Sequence, residues 1–315
     1  MKVVVGLSGG VDSSVTAYLL QQQGHEVVAL FMRNWNDASV TLEDECPWIE
    51  DSNDALMVAQ KLGIPFQVID MSELYKERIV DYMFDEYQKG RTPNPDVLCN
   101  REVKFDVFMK TAMSLGADKV ATGHYARVVK LDNGRYALKK SATAAKDQTY
   151  ALYNLTQDQL SKTLMPVGEY TKDQIRAIAE EIGLMVANKP DSQEICFIPD
   201  HDYASFISEQ TNKPIQEGNF VDTSGKILGK HKGIIHYTVG QRKGLGIALG
   251  KPAFVVEIRP ETNEVVIGTN DEVFTNALYA NNLNHMAVDS FDDGLEVIAK
   301  IRYNHEGAKC RLTMV

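Results

Sequence analysis

The chain has 315 residues, of which 44% are hydrophobic and 24% charged, with 43 acidic side chains against 33 basic ones and a formal net charge of −10. Such a balance belongs to a folded chain long enough for more than one core; it excludes the disordered and fibrous classes and argues against indiscriminate nucleic-acid binding, while leaving room for a local basic face. No run of about 18 apolar residues is present, and Met1 opens directly onto a strand pattern, so a cytoplasmic protein without a membrane segment is expected.

The first apolar run, Val3-Val4-Val5, leads into Gly6-Leu7-Ser8-Gly9-Gly10-Val11-Asp12-Ser13 and then into a helical pattern through Val15, Leu19 and Leu20. A strand, a tight glycine turn and a helix N-terminus in that order make an anion cradle: small residues let the backbone curl, and the first helical amides point at the ligand with the positive end of the helix dipole behind them. The stretch lacks the Gly-Lys-Ser/Thr ending of the mononucleotide P-loop and the Gly-x-Gly-x-x-Gly of the dinucleotide turn. Gly24 closes the helix, and Glu26 to Met32 reads as a second buried strand, so residues 1–32 predict one βαβ unit with a parallel sheet.

A polar insertion from Arg33 to Asp51 follows, then a helix from Ser52 to Leu62, a third strand from Phe66 to Asp70, and a helix from Ser72 to Gln88. Gly90 to Asn100 holds Pro93 and Pro95 one residue apart, which predicts an extended, rigid loop carrying Asp96 and Cys99. A helix over roughly Asn100 to Leu115 and a strand from Lys119 to Thr122 come next, ending at Gly123-His124-Tyr125. In open α/β sheets ligands sit beyond the carboxyl ends of the strands, so the glycine loop and this turn are expected to face one pocket. Arg127 to Lys140, with Asp132-Asn133-Gly134 at its centre, predicts a hairpin, and helices are expected at Gln157 to Lys162 and at Thr171 to Ile182, the latter behind a Thr171…Gln174 capping box.

Near residue 200 the pattern turns β-rich: Ile234 to Gly250, a Phe254-to-Ile267 hairpin turning at Glu261-Thr262-Asn263, and strands from Leu295 to Tyr303 and Cys310 to Val315, where the chain is expected to break off inside a β domain. Thr223 to Val256 contains no Asp or Glu but carries Lys226, Lys230, Lys232, Arg242, Lys243 and Lys251, which makes it a candidate phosphate-backbone surface. The expected organisation is α/β: a doubly wound parallel sheet over 1–200, a small central β-rich domain over 201–275, and the incomplete start of a C-terminal β-barrel over 276–315.

The four cysteines, Cys46, Cys99, Cys196 and Cys310, form no Cys-x-x-Cys pair, so neither a zinc finger nor a disulfide scaffold is indicated. A thiol on a rigid loop beside a basic nucleotide site ionises more readily, and the thiolate is the reactive form. Cys99 and Cys196 both sit in such loops. Beside the anion-binding loop, the pair suggests sulfur chemistry.

Ser8-Gly9-Gly10-Val11-Asp12-Ser13 resembles the pyrophosphate-binding loop of the PP-loop ATP pyrophosphatases, which split ATP into AMP and pyrophosphate. Together with Gly90 to Asn100, Ala121-Thr122-Gly123-His124-Tyr125, Lys146-Asp147-Gln148-Thr149-Tyr150, Ile195-Cys196-Phe197-Ile198 and Gly240 to Gly246, it resembles the bacterial tRNA-specific 2-thiouridylase family over residues 1 to about 305. The family's Asp-Ser-Thr-Gly before the second cysteine is replaced by Asp191-Ser192-Gln193-Glu194, which adds a carboxylate beside Cys196.

The resemblance implies a cytoplasmic transferase that uses ATP with Mg²⁺ and binds tRNA bearing a wobble uridine, of the Lys, Glu and Gln type. Gly6, Leu7, Ser8, Gly9, Gly10, Val11, Asp12 and Ser13 would hold the phosphates, and Met32 and Gly123 the adenosine. Cys196 would carry a persulfide loaded by a cysteine desulfurase or sulfur-carrier protein, Cys99 would form a disulfide with it, and Asp96 would act as general acid/base. Asn94, Pro95 and Asp96 would meet the target base, with His124, Lys146, Asp147, Gln148, Arg302 and Tyr303 on the tRNA. Other readings stay open at this level: another PP-loop synthetase with structural cysteines, thiolation through an iron–sulfur cluster on Asp96, Cys99 and Cys196, and a non-enzymatic tRNA-binding adaptor.

Overall fold

A computed structural model describes residues 1–34, 47–191, 206, 215–247, 249–250 and 252–315. By internal contacts the chain divides into two compact units, one made of Met1–Tyr75, Asp96–Gln193 and Leu283–Val315, the other of Lys76–Pro95 and Glu194–Asn282. The division differs from a linear partition: Lys76–Pro95 groups with the β-rich half, and the last 33 residues group with the N-terminal sheet.

The first unit is built on five parallel strands, β1 (Lys2–Gly6), β2 (Glu26–Arg33), β3 (Phe66–Asp70), β4 (Lys119–Ala121) and β7 (Thr163–Leu164), in the order β3-β2-β1-β4-β7. Val3, Val4 and Val5 are fully buried because β1 is central and covered on both faces. From β1 the chain winds outward through β2 and β3, then returns to place β4 on the other side of β1. The switch in direction therefore lies between β1 and β4, the position where such sheets leave a crevice at the strand ends.

Helices α1 (Val11–Gln22) and α2 (Pro47–Leu62) cover the sheet with α8 (Lys172–Glu181), through a core that includes Val15, Phe31, Val58, Tyr125, Ile175 and Ala179. The expected βαβ unit is present, with Gly24 at φ +80° after α1. α2 starts five residues before the expected Ser52, at Pro47, a residue the first helical turn accepts because its missing amide has no partner there.

The expected Ser72-to-Gln88 helix is helical throughout but not uniform: α3 (Ser72–Tyr75) passes into a π-helical segment, Lys76–Val80, and then α4 (Asp81–Gln88). The expected extended loop ends sooner than its two prolines suggest. Pro95 opens α5 (Pro95–Leu98), so Asp96 and Cys99 lie on a helix, not on a loop; the fixed φ of proline that breaks a helix interior suits its first position. α5 continues as a π-helical stretch, Cys99–Val107, and then α6 (Phe108–Ser114).

β5 (Ala126–Lys130) and β6 (Tyr136–Lys140) pair antiparallel as the expected hairpin, with Gly134 at φ +83° in the turn. α7 (Gln157–Ser161) and α8 each start at a complete capping box, Thr156 with Gln159 and Thr171 with Gln174. The C-terminal segment of this unit, which includes a two-stranded pair of β12 (Glu296–Ala299) and β13 (Ala308–Arg311), is tied down by hydrogen bonds. Arg135 donates to the carbonyls of Met286 (3.0 Å) and His285 (2.6 Å), and Asn284 to those of Tyr153 (2.8 Å) and Leu155 (2.9 Å).

The second unit holds a four-stranded sheet, β10-β11-β8-β9, from β8 (Gly218–Asp222), β9 (Ile227–His231), β10 (Phe254–Arg259) and β11 (Glu264–Gly268), around Phe220, Tyr237, Val255 and Val265. The hairpin turning before Asn263 forms as expected, but Ile234 to Gly250 contains no strand among the described residues. It is a short 3₁₀ turn, Ile234–His236, followed by a coil in which Gly240, Gly244, Gly246 and Gly250 all have positive φ. Glycines in that conformation break the extended backbone that the apolar residues between them suggest.

Candidate functional site

The glycine turn is assembled at the head of β1. Gly9 has φ +78°, and a Cβ on it would lie 2.2 Å from the carbonyl oxygen of Asp51, so only glycine fits. Gly10 occupies the N-cap position of α1 in extended conformation, without a side chain to cap the first amides. Among the described residues no side chain caps those amides, which is what an anion site at a helix N-terminus requires. Ser13 folds the loop on itself: its hydroxyl accepts from the Ser8 amide (3.1 Å), meets the Ser8 hydroxyl at 3.1 Å and reaches the Gly10 carbonyl at 3.1 Å. Gly6, Leu7, Val11 and Ser13 are buried, whereas Ser8 is exposed.

Met32, at the end of β2, lies next to Gly6: its methyl carbon stands 3.4 Å from where a Gly6 Cβ would be. Gly123, after β4, packs directly on the first turn of α1, with its Cβ position 2.7 Å from the Ser13 amide nitrogen and 2.8 Å from the Asp12 carbonyl carbon. The structure thus gathers the sequence-predicted loop, Met32 and Gly123 at the β1/β4 switch point.

Asp12 is the centre of a charged network that sequence reasoning missed. Tyr125 donates its hydroxyl to Asp12 Oδ1 (2.7 Å), and Lys172 Nζ lies 2.8 Å from both Asp12 oxygens and 2.6 Å from Asp191 Oδ1. Asp191 also receives Lys146 (2.8 Å) and Arg176 (3.3 Å). Burial pushes the Tyr125 hydroxyl up, and the Asp12 carboxylate adds to that, so it stays a donor. Burial opposes ionisation of Asp191, but its hydrogen bonds with Lys146 and Lys172 win and hold it below the usual carboxylate range. No local motif marks Lys172; the capping box that starts α8 is the nearest signal, since it fixes where the first helical residue points.

The remaining predicted residues are distributed along several elements. Asn94 precedes α5, Pro95 begins it, and Asp96 is exposed one helical turn before Cys99, which is buried at 7% exposure. Positions three apart on a helix share a face, so the pair is adjacent. Cys196 lies outside the described residues, as does Cys46, and so does any arrangement of Cys99 with Cys196. Asn100, beside Cys99, donates to the Ala151 carbonyl (3.2 Å), linking that helix to the Lys146-to-Tyr150 stretch.

Within that stretch Asp147 accepts from the Ser141 amide (2.9 Å) and the Thr149 hydroxyl (2.6 Å), and Gln148 accepts from the Tyr125 amide (2.8 Å). Gln148 thereby braces the turn after β4, and Asp147 the segment that follows β6. His124 is buried, its Nδ1 2.8 Å from the Thr122 hydroxyl, and burial together with the charge of Lys104 pushes it well below the ordinary histidine range. Arg302 and Tyr303 are exposed, with Lys300 Nζ 5.2 Å from the Tyr303 ring and 5.7 Å from that of Tyr150.

In the second unit, Lys226, Lys230, Lys232, Arg242 and Lys243 are all exposed, and among the described residues Lys230, Lys232, Arg242 and Lys243 form no ion pair; Lys251 lies outside the described residues. Arg242 sits 6.0 Å from the Phe254 ring centroid. No helix among the described residues is long and apolar enough to cross a membrane.

Two family models match, the tRNA methyl transferase HUP domain over residues 1–200 and the tRNA methyl transferase PRC-barrel domain over residues 204–269. A relative from Lachnoclostridium phytofermentans named tRNA-specific 2-thiouridylase MnmA is 64% identical, covering 100% of this chain and 89% of its own. Relatives of the same name from Clostridioides difficile and Acetivibrio thermocellus are each 54% identical, covering 96% and 98% of this chain and 84% and 87% of their own. With a match of this extent running through both compact units, the chain belongs to the tRNA-specific 2-thiouridylase family.

Proposed function

We propose that the chain catalyses ATP-dependent 2-thiolation of the wobble uridine of tRNA. The observation that carries this reading is the full-length match to relatives of that name, in a chain whose β1–α1 turn is shaped for phosphate and admits no side chain at Gly9.

The chemistry needs activation because the oxygen at uridine C2 is a poor leaving group. ATP, carried as its magnesium complex, lies with its phosphates on Gly6 to Ser13 and its adenosine near Met32 and Gly123. The uridine oxygen attacks the α-phosphorus, the α–β P–O bond breaks, and pyrophosphate departs with the electron pair. The terminal sulfur of a Cys196 persulfide then attacks C2 and expels AMP. Cys99 attacks the Cys196 sulfur, the S–S bond to the transferred sulfur breaks, and the base leaves as its thiolate while a Cys99–Cys196 disulfide forms. A thiol reductant restores the pair, and a cysteine desulfurase or sulfur-carrier protein reloads Cys196. Asp96 moves a proton at the base, a role supported by its exposure one turn from Cys99.

The uridine must leave the anticodon stack to be reached, with Asn94, Pro95 and Asp96 around it. For the tRNA body, the exposed Arg302 and Tyr303, and the exposed cations Lys230, Lys232, Arg242 and Lys243, offer phosphate and stacking contacts, with Lys146, Asp147, Gln148 and His124 as further contacts. With this reading goes a functional partition into a catalytic part over 1–200, a central part over 201–275 and a C-terminal part over 276–315, which is not the division into compact units. Mass spectrometry of tRNA after incubation with ATP, Mg²⁺, a persulfide donor and a thiol reductant tests it: a wobble uridine heavier by one oxygen-to-sulfur exchange is expected, and an unmodified tRNA with a fully folded protein overturns it.

A further inference from the structure

From Arg242 to Ile247, in the second unit, no backbone amide has a hydrogen-bond partner among the described residues. Folded chains pair nearly all such donors, so a consecutive run without acceptors points to an acceptor from outside. We propose that this loop forms a nucleotide-binding cleft, which takes one unstacked nucleotide of the tRNA with its phosphate on the loop amides and Arg242. The inference rests on the reading of the chain as a tRNA-thiolating enzyme, and it adds a defined pocket to the basic face that composition alone suggests.

Backbone shape is the first support. Gly244 and Gly246 have φ +75° and +71°, while Lys243 and Leu245 between and before them have negative φ. Such alternation turns successive N–H groups to one side and makes the concavity that holds an anion. The loop is also built, not slack. The Gln241 side chain accepts from the Thr238 amide (3.0 Å) and donates to the Lys243 carbonyl (3.0 Å). At its foot the Gly240 amide donates to the Val255 carbonyl (2.7 Å), and the Val255 amide to the Gln241 carbonyl (3.0 Å). Leu245, in its middle, is 7% exposed within the core that includes Phe220, Tyr237 and Val265. The amides are therefore held in place before a ligand arrives, which lowers the ordering cost of binding.

Charge and space complete the case. The run Thr223–Val256 has no Asp or Glu, so nothing within it competes with an anion for the exposed Arg242 and Lys243. Arg242, 6.0 Å from the Phe254 ring centroid, offers a planar guanidinium for stacking as well as charge. The loop borders an open cleft of about 460 Å³, lined by Arg242, Gly244 and Gly246 together with the apolar Leu249, Pro252 and Ala253. A phosphate group alone fills a fraction of that volume and makes no use of apolar walls, whereas a nucleotide does both. Arg242 is the single polar side chain among the described lining residues, so no amide, hydroxyl or carboxylate there reads a base edge. The cleft holds a nucleotide by phosphate and shape, without regard to its base.

The test follows the amide resonances of residues 242–247 in the full chain, titrated with UMP, CMP, uridine and tRNA. UMP and CMP should shift them saturably and with affinities within about threefold of each other, uridine should bind at least about tenfold more weakly, and tRNA should displace UMP. Gln241→Met keeps every charge but frees the loop, and it should weaken UMP binding about tenfold and tRNA binding with it. A Cβ at Gly246 meets nothing within 4 Å, so Gly246→Val changes backbone conformation without crowding and gives the same comparison if Gln241→Met does not fold. Uridine binding as tightly as UMP would overturn the phosphate role. A loss with Arg242→Met but with neither loop variant would reduce the site to ordinary surface charge. Unshifted loop amides in a protein saturated with tRNA would remove the cleft and leave the thiolation reading standing, whereas a wild-type chain that binds no tRNA would end both.

Discussion

A Cβ on Gly123 would stand 2.7 Å from the amide nitrogen of Ser13, closer than real side-chain carbons approach backbone, so β4 and the first turn of α1 meet with no room between them. Gly123→Ala should therefore displace the N-terminus of α1 and lower tRNA-dependent pyrophosphate release by about tenfold or more while leaving tRNA affinity largely intact. Gly9→Val should abolish release for the same reason, and Asp12→Ala should abolish it by removing the carboxylate that Tyr125 and Lys172 bind. Undiminished release in all three would remove ATP from this turn.

The two cysteines should behave unequally. Cys99→Ser and Cys196→Ser should both fail in thiolation with a persulfide donor, and both should still release pyrophosphate because adenylation comes first. Only Cys99→Ser should accept labelled sulfur, on Cys196. Label retained on Cys99 in the Cys196→Ser protein would reverse the assignment. A disulfide requires Cα atoms within about 7 Å, which crosslinking of the resting protein can check.

The exposed cations of the acid-free run should read out in salt. Reversal of Lys230, Lys232, Arg242 and Lys243 to Glu should weaken tRNA binding and flatten its salt dependence by roughly one unit of slope per lost phosphate contact. An unaltered slope would make the run an ordinary solvated face.

Acid should destabilise the chain through His124. Its folded form favours the neutral ring, because burial and Lys104 disfavour the charged one, whereas the unfolded residue takes up a proton below about pH 6.5. The unfolded state thus binds more protons there, so stability is complete above that pH and falls as pH drops through it. His231 shifts in the same direction, mainly through burial. Denaturant midpoints at about pH 7.5 and pH 5.5 should show the loss, and His124→Gln should reduce it; an equal midpoint at both pH values in the wild type would contradict this account.

Arg135 should act as the anchor of the C-terminal segment. It donates to two carbonyls and pairs with Asp289, so Arg135→Ala takes the donor from the His285 carbonyl and leaves that of Met286 to Gln157, and should cost about 1–3 kcal/mol locally. Limited proteolysis should then cut within 283–315 before the parallel sheet is attacked. Cleavage at the wild-type rate would show that the remaining bonds from Asn284 and Gln157 suffice.

Much of the first unit is legible in the sequence because its signals are local. Val3 to Val5 are apolar without alternation, the glycines stand where the backbone must bend, and the Thr171…Gln174 capping box is read within four residues; each records a constraint that the neighbouring chain imposes. Signals fail where one residue type serves opposite purposes. Pro95 suggests continued loop but starts a helix, which moves Asp96 and Cys99 onto a helical face, and the glycines from 240 to 250 turn an apolar stretch that reads as strand into coil. The encounters of Gly123 with Ser13, of Lys172 with Asp12, and of Arg135 with the carbonyls of His285 and Met286 have no local sign at all. They depend on which strands become neighbours and which helix faces pack, and contacts across 110 to 160 positions are decided only when the whole core closes around them.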